Sequence, residues 1–184
     1  MIRVLIGIMF LVVSTSPTSV LAATPITNKR VTVGYVEYVS VPKVDAIFKA
    51  KMDTGAKTSS IHANIIEIKK RKKGDDDSGY VLFTIDTEDG ASNSIKKPIT
   101  RFVRIKLKTG GFQRRPVVEM KFCIAGVMVL EEVNLSNRED FLYDVLIGRN
   151  MLVKGGLVVD AAKDLSIKPN CRDDDDEKAG KAKP

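Results

Sequence analysis

The sequence predicts an all-β domain, a closed barrel or sandwich of short strands, with one short helix near the C-terminal end. Three observations carry this. Runs rich in Val, Ile, Phe and Thr recur at regular spacing from Val31 onward. Gly, Asp, Asn and Pro separate them, residues that favour turns over extended backbone. Only GRNMLVKGG, residues 148–156, reads as a helix, one to two turns closed by glycine. No internal repeat is evident, so the chain does not encode two similar lobes.

The elements follow in order. Residues 1–22 have the layout of a secretory signal peptide: an early cation (Arg3), an apolar run from Val4 to Val13, and cleavage expected near Ala22. The run is shorter than the roughly 20 residues a membrane-spanning helix needs. The expectation is therefore an exported protein, periplasmic or secreted, with no integral membrane segment after cleavage. Residues 23–30 read as a linker, and 31–171 as one domain with its own core. Its strand-like runs are VTVGYVEYV, DAIFKAKMD, SSIHANIIEI, GYVLFTID, RFVRIKLKT, RRPVVEMKFCIA, VMVLEEV and DVLI. KKRKKGDDDSG, residues 69–79, is a charged hairpin-like connection. Residues 172–184, mixed in charge and nearly free of apolar side chains, read as a disordered tail.

The formal net charge is +7, most of it in the predicted domain, which suits acidic partners. No basic helix or aromatic-studded motif accompanies it, so nucleic acid is not an expected partner. Cys123 and Cys171 stand in a chain expected to be exported. A disulfide and a buried free thiol at Cys123 both remain open.

Three segments carry the chemistry. KMDTGAKTSSIHA, residues 51–63, sets Asp53 at the end of a strand-like run, before a Thr-Gly turn. VLIGRNML, residues 145–152, is an apolar strand, a glycine and the start of the helix. VRIKLKTGGFQRRPVVEM, residues 103–120, is two strands flanking a glycine tip, as a hairpin requires. Ile85-Asp86-Thr87-Glu88 has Glu where such a loop needs Gly, and supplies no second catalytic aspartate. Asp160, after the GLVV run, reads as a strand-end residue.

Together these segments resemble the retropepsins, single-lobe aspartic proteases. Along VGYVEYVSVP, AKMDTGAKTSSIHA, RRPVVEM and LIGRNML the resemblance sharpens to a bacterial family labelled ATP-dependent zinc proteases, retropepsin-like proteins linked to ATP-grasp peptide ligases. It implies a retropepsin-like closed barrel in which Asp53, Thr54 and Gly55 are catalytic. Thr54 would brace the loop at a two-fold axis, and Gly55 would let backbone approach the carboxylates. Gly110 and Gly111 would tip a flap over the substrate. Ala56, His62, Ile147, Gly148 and Asn150 would support the site.

Hydrolysis by carboxylates needs one group to accept a proton from water while another donates to the carbonyl oxygen. One Asp-Thr-Gly cannot fill both roles, so the resemblance implies a homodimer with one Asp53 from each chain. Two carboxylates about 4 Å apart repel by roughly 4 kcal/mol at an effective dielectric near 20, enough to hold one shared proton. Viral retropepsins carry an acid where this chain has Lys57. Arg149 is thus left to a backbone carbonyl or a substrate carboxylate. Lys57, with Arg101, Arg104, Arg114 and Arg115 near the hairpin, suggests an electropositive cleft and an acidic peptide or protein substrate.

Zinc and ATP draw no support from the residues. His62 is the only histidine, no His-Glu-x-x-His or Cys-x-x-Cys is present, and no phosphate-binding glycine loop occurs. No cofactor and no metal site are expected. The runner-up is a catalytically silent periplasmic peptide-binding module with the same cleft, and a zinc hydrolase built on His62 is a distant third.

Overall fold

A computed structural model describes residues 30–70, 79–87, 90–107 and 109–171. The predicted signal peptide, nearly all of the linker, the tail, and most of the charged connection at 69–79 lie outside the described residues.

Eleven strands, one α-helix and a single 3-10 turn (Pro42–Val44) are present among these residues: β1 (Val31–Val41), β2 (Ala46–Asp53), β3 (Ser59–His62), β4 (Asn64–Lys70), β5 (Gly79–Asp86), β6 (Ser92–Ile99), β7 (Arg101–Lys106), β8 (Phe112–Ile124), β9 (Val127–Ser136), β10 (Val145–Gly148), α1 (Arg149–Lys154) and β11 (Leu157–Asp164). Eight strands form one sheet in the order β11-β1-β2-β10-β3-β9-β8-β7. Pairing of Val39 with Ile124 and Ser40 with Cys123 joins β1 to β8 and closes six of them into a ring. The chain is all-β with a ring-like sheet, as its retropepsin-like reading requires. β4, β5 and β6 make a separate antiparallel sheet.

The ring is built by alternation. Along β2, Phe48, Ala50 and Met52 are buried, while Lys49 and Lys51 are exposed. Side chains two residues apart share a face, so Asp53 must lie outward with Lys51. In β8, Val118, Met120, Phe122 and Ile124 point inward by the same rule. Val81, Phe83 and Ile85 of β5, with Ile95 and Ile99 of β6, join that same core, so the small sheet lies against the ring.

Five features depart from the sequence expectations or add to them. SSIHANIIEI is not one strand: Ala63 interrupts it, and β3 enters the ring while β4 enters the small sheet. β6 was not expected, because SNSIKKPI is polar and contains Pro98; it is an edge strand, where a residue without an N–H is tolerated. Asp160 lies inside β11, not at a strand end, opposite Gly34 of β1. The two cysteines form a disulfide with their Cα atoms 5.8 Å apart, fastening the C-terminal segment to β8. Glu37, wholly buried on β1, holds the same segment. Its carboxylate accepts N–H bonds from Gly34 at 2.7 Å and Ile167 at 3.0 Å, and the hydroxyl of Ser166.

Candidate active site

Asp53 ends β2, and β10 lies parallel beside it, with Gly148 opposite Asp53. The Asp53 Oδ1 atom accepts the backbone N–H of Gly55 at 2.9 Å and of Ala56 at 3.1 Å. Its other oxygen, Oδ2, lies 3.9 Å from Lys51 Nζ. One carboxylate oxygen thus fixes the turn, and the other is left to a cation and the solvent.

Helix α1 holds the rest of the turn. The first backbone N–H groups of a helix have no partner within it. Here Arg149 N–H donates to Ala56 O at 2.9 Å, and Asn150 N–H to Lys57 O at 3.1 Å. The Arg149 Nη1 donates to Thr54 O at 2.9 Å and Gly55 O at 2.7 Å. Four successive carbonyls of the turn are therefore bound from one short helix. Of the two partners open to Arg149, the backbone carbonyl is the one present.

Close approach of the two segments requires a glycine. A Cβ on Gly148 would sit 2.6 Å from the Thr58 carbonyl carbon. The Gly148 N–H instead reaches Ser59 Oγ at 3.0 Å, and Ser59 Oγ donates to Met151 Sδ at 3.8 Å. Ile147, fully buried, anchors this glycine from the core side.

The face that carries Asp53 extends across the ring in one row: Lys51, Leu146, Ser60, Asn134 and Val117 are successive register partners. Asn134 is buried and central. Its Nδ2 donates to Ser59 O at 2.6 Å, while its Oδ1 accepts from Ser60 Oγ at 3.2 Å and Arg115 Nη1 at 3.4 Å. His62 belongs to this face as well. Its Nδ1 accepts the Arg138 N–H at 2.9 Å, a second-layer position rather than a free ligand. Among the described residues no group of three His, Cys, Asp or Glu could hold a metal ion.

The glycine-tipped hairpin is formed by β7 and β8. Gly110 and Gly111 at its tip have φ of 91° and 78°, a conformation that side-chain-bearing residues seldom adopt. An open cleft of about 680 Å³ lies between β7 and the Asp53 turn, lined by Lys57, Thr58, Arg101, Arg104, Glu132 and Asn150. Its cations are not equivalent. Arg101 is neutralised by Glu132, with Nη2 to Oε2 at 2.6 Å and Nε to Oε2 at 2.8 Å. That pairing, with a bond from Thr100, holds the Glu132 carboxyl below the usual range, against partial burial. Arg104 lies over Phe112 at 4.6 Å and Arg114 over Phe102 at 3.8 Å. Lys57 is exposed.

Arg138, like Asn134, is a residue that sequence reasoning missed. It is 6% exposed, and its Nε donates to Tyr143 O at 3.0 Å. Burial lowers its pKa from the ordinary arginine value, and the charge of Arg115 lowers it further; Asp144 and Asp53 act in the opposite direction. Burial lowers that of Arg115 too. Nothing in NRED at 137–140 signals this role, because loop residues carry no periodicity. Lys51 was legible from its position two residues before Asp53.

Comparison with known proteins agrees with this geometry. A family model described as RimB-like, "Retropepsin-like aspartic endopeptidase RimB", matches residues 32–170. The chain is 27% identical over 132 residues to a "Probable alpha-L-glutamate ligase" of Shewanella halifaxensis, covering 71% of this chain and 29% of that one. A protein of the same name from Parasynechococcus marenigrum is 27% identical over 138 residues, covering 72% and 28%. The chain thus spans less than a third of the length of these relatives. The crystal structure of Lpg0085 from Legionella pneumophila, a protein of unknown function (DUF785), superimposes with a TM-score of 0.59 at 29% identity, covering 75% of this chain and 98% of that one.

Proposed function

The chain belongs to the RimB-like family of retropepsin-like aspartic endopeptidases, and from that premise we propose that it is an exported peptidase that hydrolyses acidic peptides with an Asp53 dyad formed across a homodimer. The observation that carries the reading is the division of labour within Asp53. Oδ1 is engaged by the Gly55 and Ala56 N–H groups, which leaves Oδ2 for chemistry. In the dyad one carboxylate takes a proton from water, and the resulting oxygen nucleophile bonds to the scissile carbonyl carbon. The protonated partner donates to the carbonyl oxygen. Collapse of the tetrahedral species returns that proton, breaks the C–N bond and delivers the other proton to the departing amine.

Three further parts of the reading rest on weaker supports. Export rests on residues 1–22 and places the protein in the periplasm or medium. The dimer rests on the presence of a single Asp-Thr-Gly. The acidic substrate is supported by the basic groups around the cleft and by relatives whose name contains glutamate ligase. No cofactor enters this chemistry.

The test pairs sedimentation with activity. Mature protein and Asp53→Asn are compared by analytical ultracentrifugation, then assayed on an acidic peptide library from pH 4 to 8. The expected result is a dimer in both, with cleavage lowered at least about 10³-fold in the variant. A strict monomer that binds such peptides and never cuts them would replace this reading with the binding module.

A further inference from the structure

We propose that Arg115 and Arg138 form a carboxylate-binding subsite on the Asp53 face of the ring, where they fix an acidic group of the bound peptide beside the scissile bond. Its place in the reaction rests on the peptidase reading; its affinity for carboxylates does not.

Position is the first argument. Arg115 lies two residues from Val117 on β8, and Val117 ends the row that begins at Lys51, two residues from Asp53. Arg138 follows Ser136 by two residues, and Ser136 is paired with His62 of β3. The guanidinium of Arg138 lies within electrostatic reach of both Arg115 and Asp53.

The second argument is that both groups are held in place. Arg138 is fixed through Nε to Tyr143 O and by its guanidinium lying 4.5 Å from the Phe141 ring centroid. Arg115 is fixed through Nε to Gln113 Oε1 at 2.7 Å and through Nη1 to the buried Asn134. These are neutral partners. They orient the guanidiniums without neutralising them, and Asp144 and Asp53 act on Arg138 only from beyond ion-pair distance.

Charge supplies the third. Among the described residues, neither Arg115 nor Arg138 is within ion-pair distance of a carboxylate. The two Nη atoms of Arg138 make no hydrogen bond to a described residue, yet no fully buried side-chain nitrogen lacks a partner, so these atoms reach solvent. Drawing two cations together while desolvating both is unfavourable unless an anion completes the arrangement. Arg101 has Glu132 for that purpose, and Arg149 is held against the Asp53 turn through Nη1. A planar fork with free N–H groups matches a carboxylate bidentately. The carboxylate could be a Glu or Asp side chain or a peptide C-terminus.

The probes are acetyl-hexaglutamate amide, its hexaglutamine counterpart, and both as free acids, titrated calorimetrically into Asp53→Asn. The glutamate peptide should bind at least about 30-fold more tightly than the glutamine peptide. A preference that appears only with the free acids would assign the site to the C-terminal carboxylate. Arg115→Gln and Arg138→Gln, each made in Asp53→Asn and checked for fold by circular dichroism, should each lower the preference about 10-fold or more. Arg138→Lys should recover only part of it, since charge returns without the fork. Equal affinity for the two peptides, or a preference undiminished in both glutamine variants, overturns the subsite. Catalysis separates the two readings. A wild-type protein that cuts neither peptide but keeps the arginine-dependent preference defeats the peptidase and supports the subsite. Cutting both peptides with equal kcat/KM overturns the subsite and leaves the peptidase standing.

Discussion

Gly148→Ala tests the claim that the Asp53 turn is positioned by contact with β10. The new methyl carbon would lie 2.6 Å from the Thr58 carbonyl carbon, 2.8 Å from its oxygen and 3.0 Å from Ser59 N. Ordinary contact starts at 3.4 Å, so the two segments must part by 3.4 − 2.6 = 0.8 Å. Gly148 has φ −91° and ψ 172°, open to any residue, so backbone strain does not contribute. All three of these neighbouring atoms are backbone, and that backbone is tied by the Gly148, Arg149 and Asn150 N–H bonds. Overpacking of this kind costs about 2–3 kcal/mol, or roughly 6–12 °C in Tm for a domain of this size. A shift near 1 Å in a catalytic group is worth about 100-fold in rate. Gly34→Ala is the control. Its Cβ would meet Lys163 O at 2.4 Å, between β1 and β11, away from the turn. Both variants should lose Tm by differential scanning calorimetry, but only Gly148→Ala should lose about 100-fold in kcat/KM. Gly148→Ala with wild-type Tm and activity, or equal activity losses in the two variants, would refute the positioning argument.

Arg149→Met removes the Nη1 bonds to Thr54 and Gly55; it should lower stability by about 1 kcal/mol in urea denaturation and lower kcat by a larger factor. Glu132 has a depressed folded pKa, caused first by the bond from Arg101. Its contribution to stability is therefore present above its unfolded value of 4.5 and is lost as pH falls through the folded value. Glu132→Gln should flatten the Tm-versus-pH profile between pH 5 and 3, and an unchanged slope would count against the pair. Reducing the Cys123–Cys171 bond opens a loop with a sequence separation of 48. The chain-entropy relation puts the loss near 4 kcal/mol, measured as the fall in urea midpoint on adding dithiothreitol.

The parts of the fold that could be read from the sequence are those whose two faces meet different environments. In β2 and β8 buried apolar residues alternate with exposed polar ones, so periodicity reports the fold directly. β6 gives no such report, since its pairing to β5 is decided by backbone and, of its described side chains, only Ile95 and Ile99 enter the core. The break at Ala63 is a tertiary event. His62 N–H is taken by Asp144 O and Ala63 N–H by Ser136 O, so the chain leaves the ring there while its composition stays strand-like. The same division runs through the site. Asp53 and Gly55 are legible because they belong to one short turn and contact each other, and Gly148 because it stands between an apolar strand and a helix, although the group that requires a glycine there is Thr58 on a distant segment. The neutralisation of Arg101, the bond that seats Arg138 on His62 and the bonds of Asn134 to Ser60 and Ser59 depend on residues 31, 76 and 74–75 positions away, respectively. Pairings set by topology leave little trace in a single sequence.

The turn that carries Asp53 also shows how a chain with so little helix can hold a carboxylate still. Asp53 Oδ1 takes two of the turn's N–H groups, and α1 with Arg149 takes the carbonyls of residues 54 to 57. The turn therefore has few ways to relax without breaking several bonds together, and Gly148 admits β10 close enough for all of them. Six residues of helix suffice because only its first N–H groups and one side chain are used. In the proposed dimer the second carboxylate would arrive on an identical, already ordered turn. Bringing the dyad together would then require no further ordering of the loop, and its geometry would be set by the fold of each chain before the two meet.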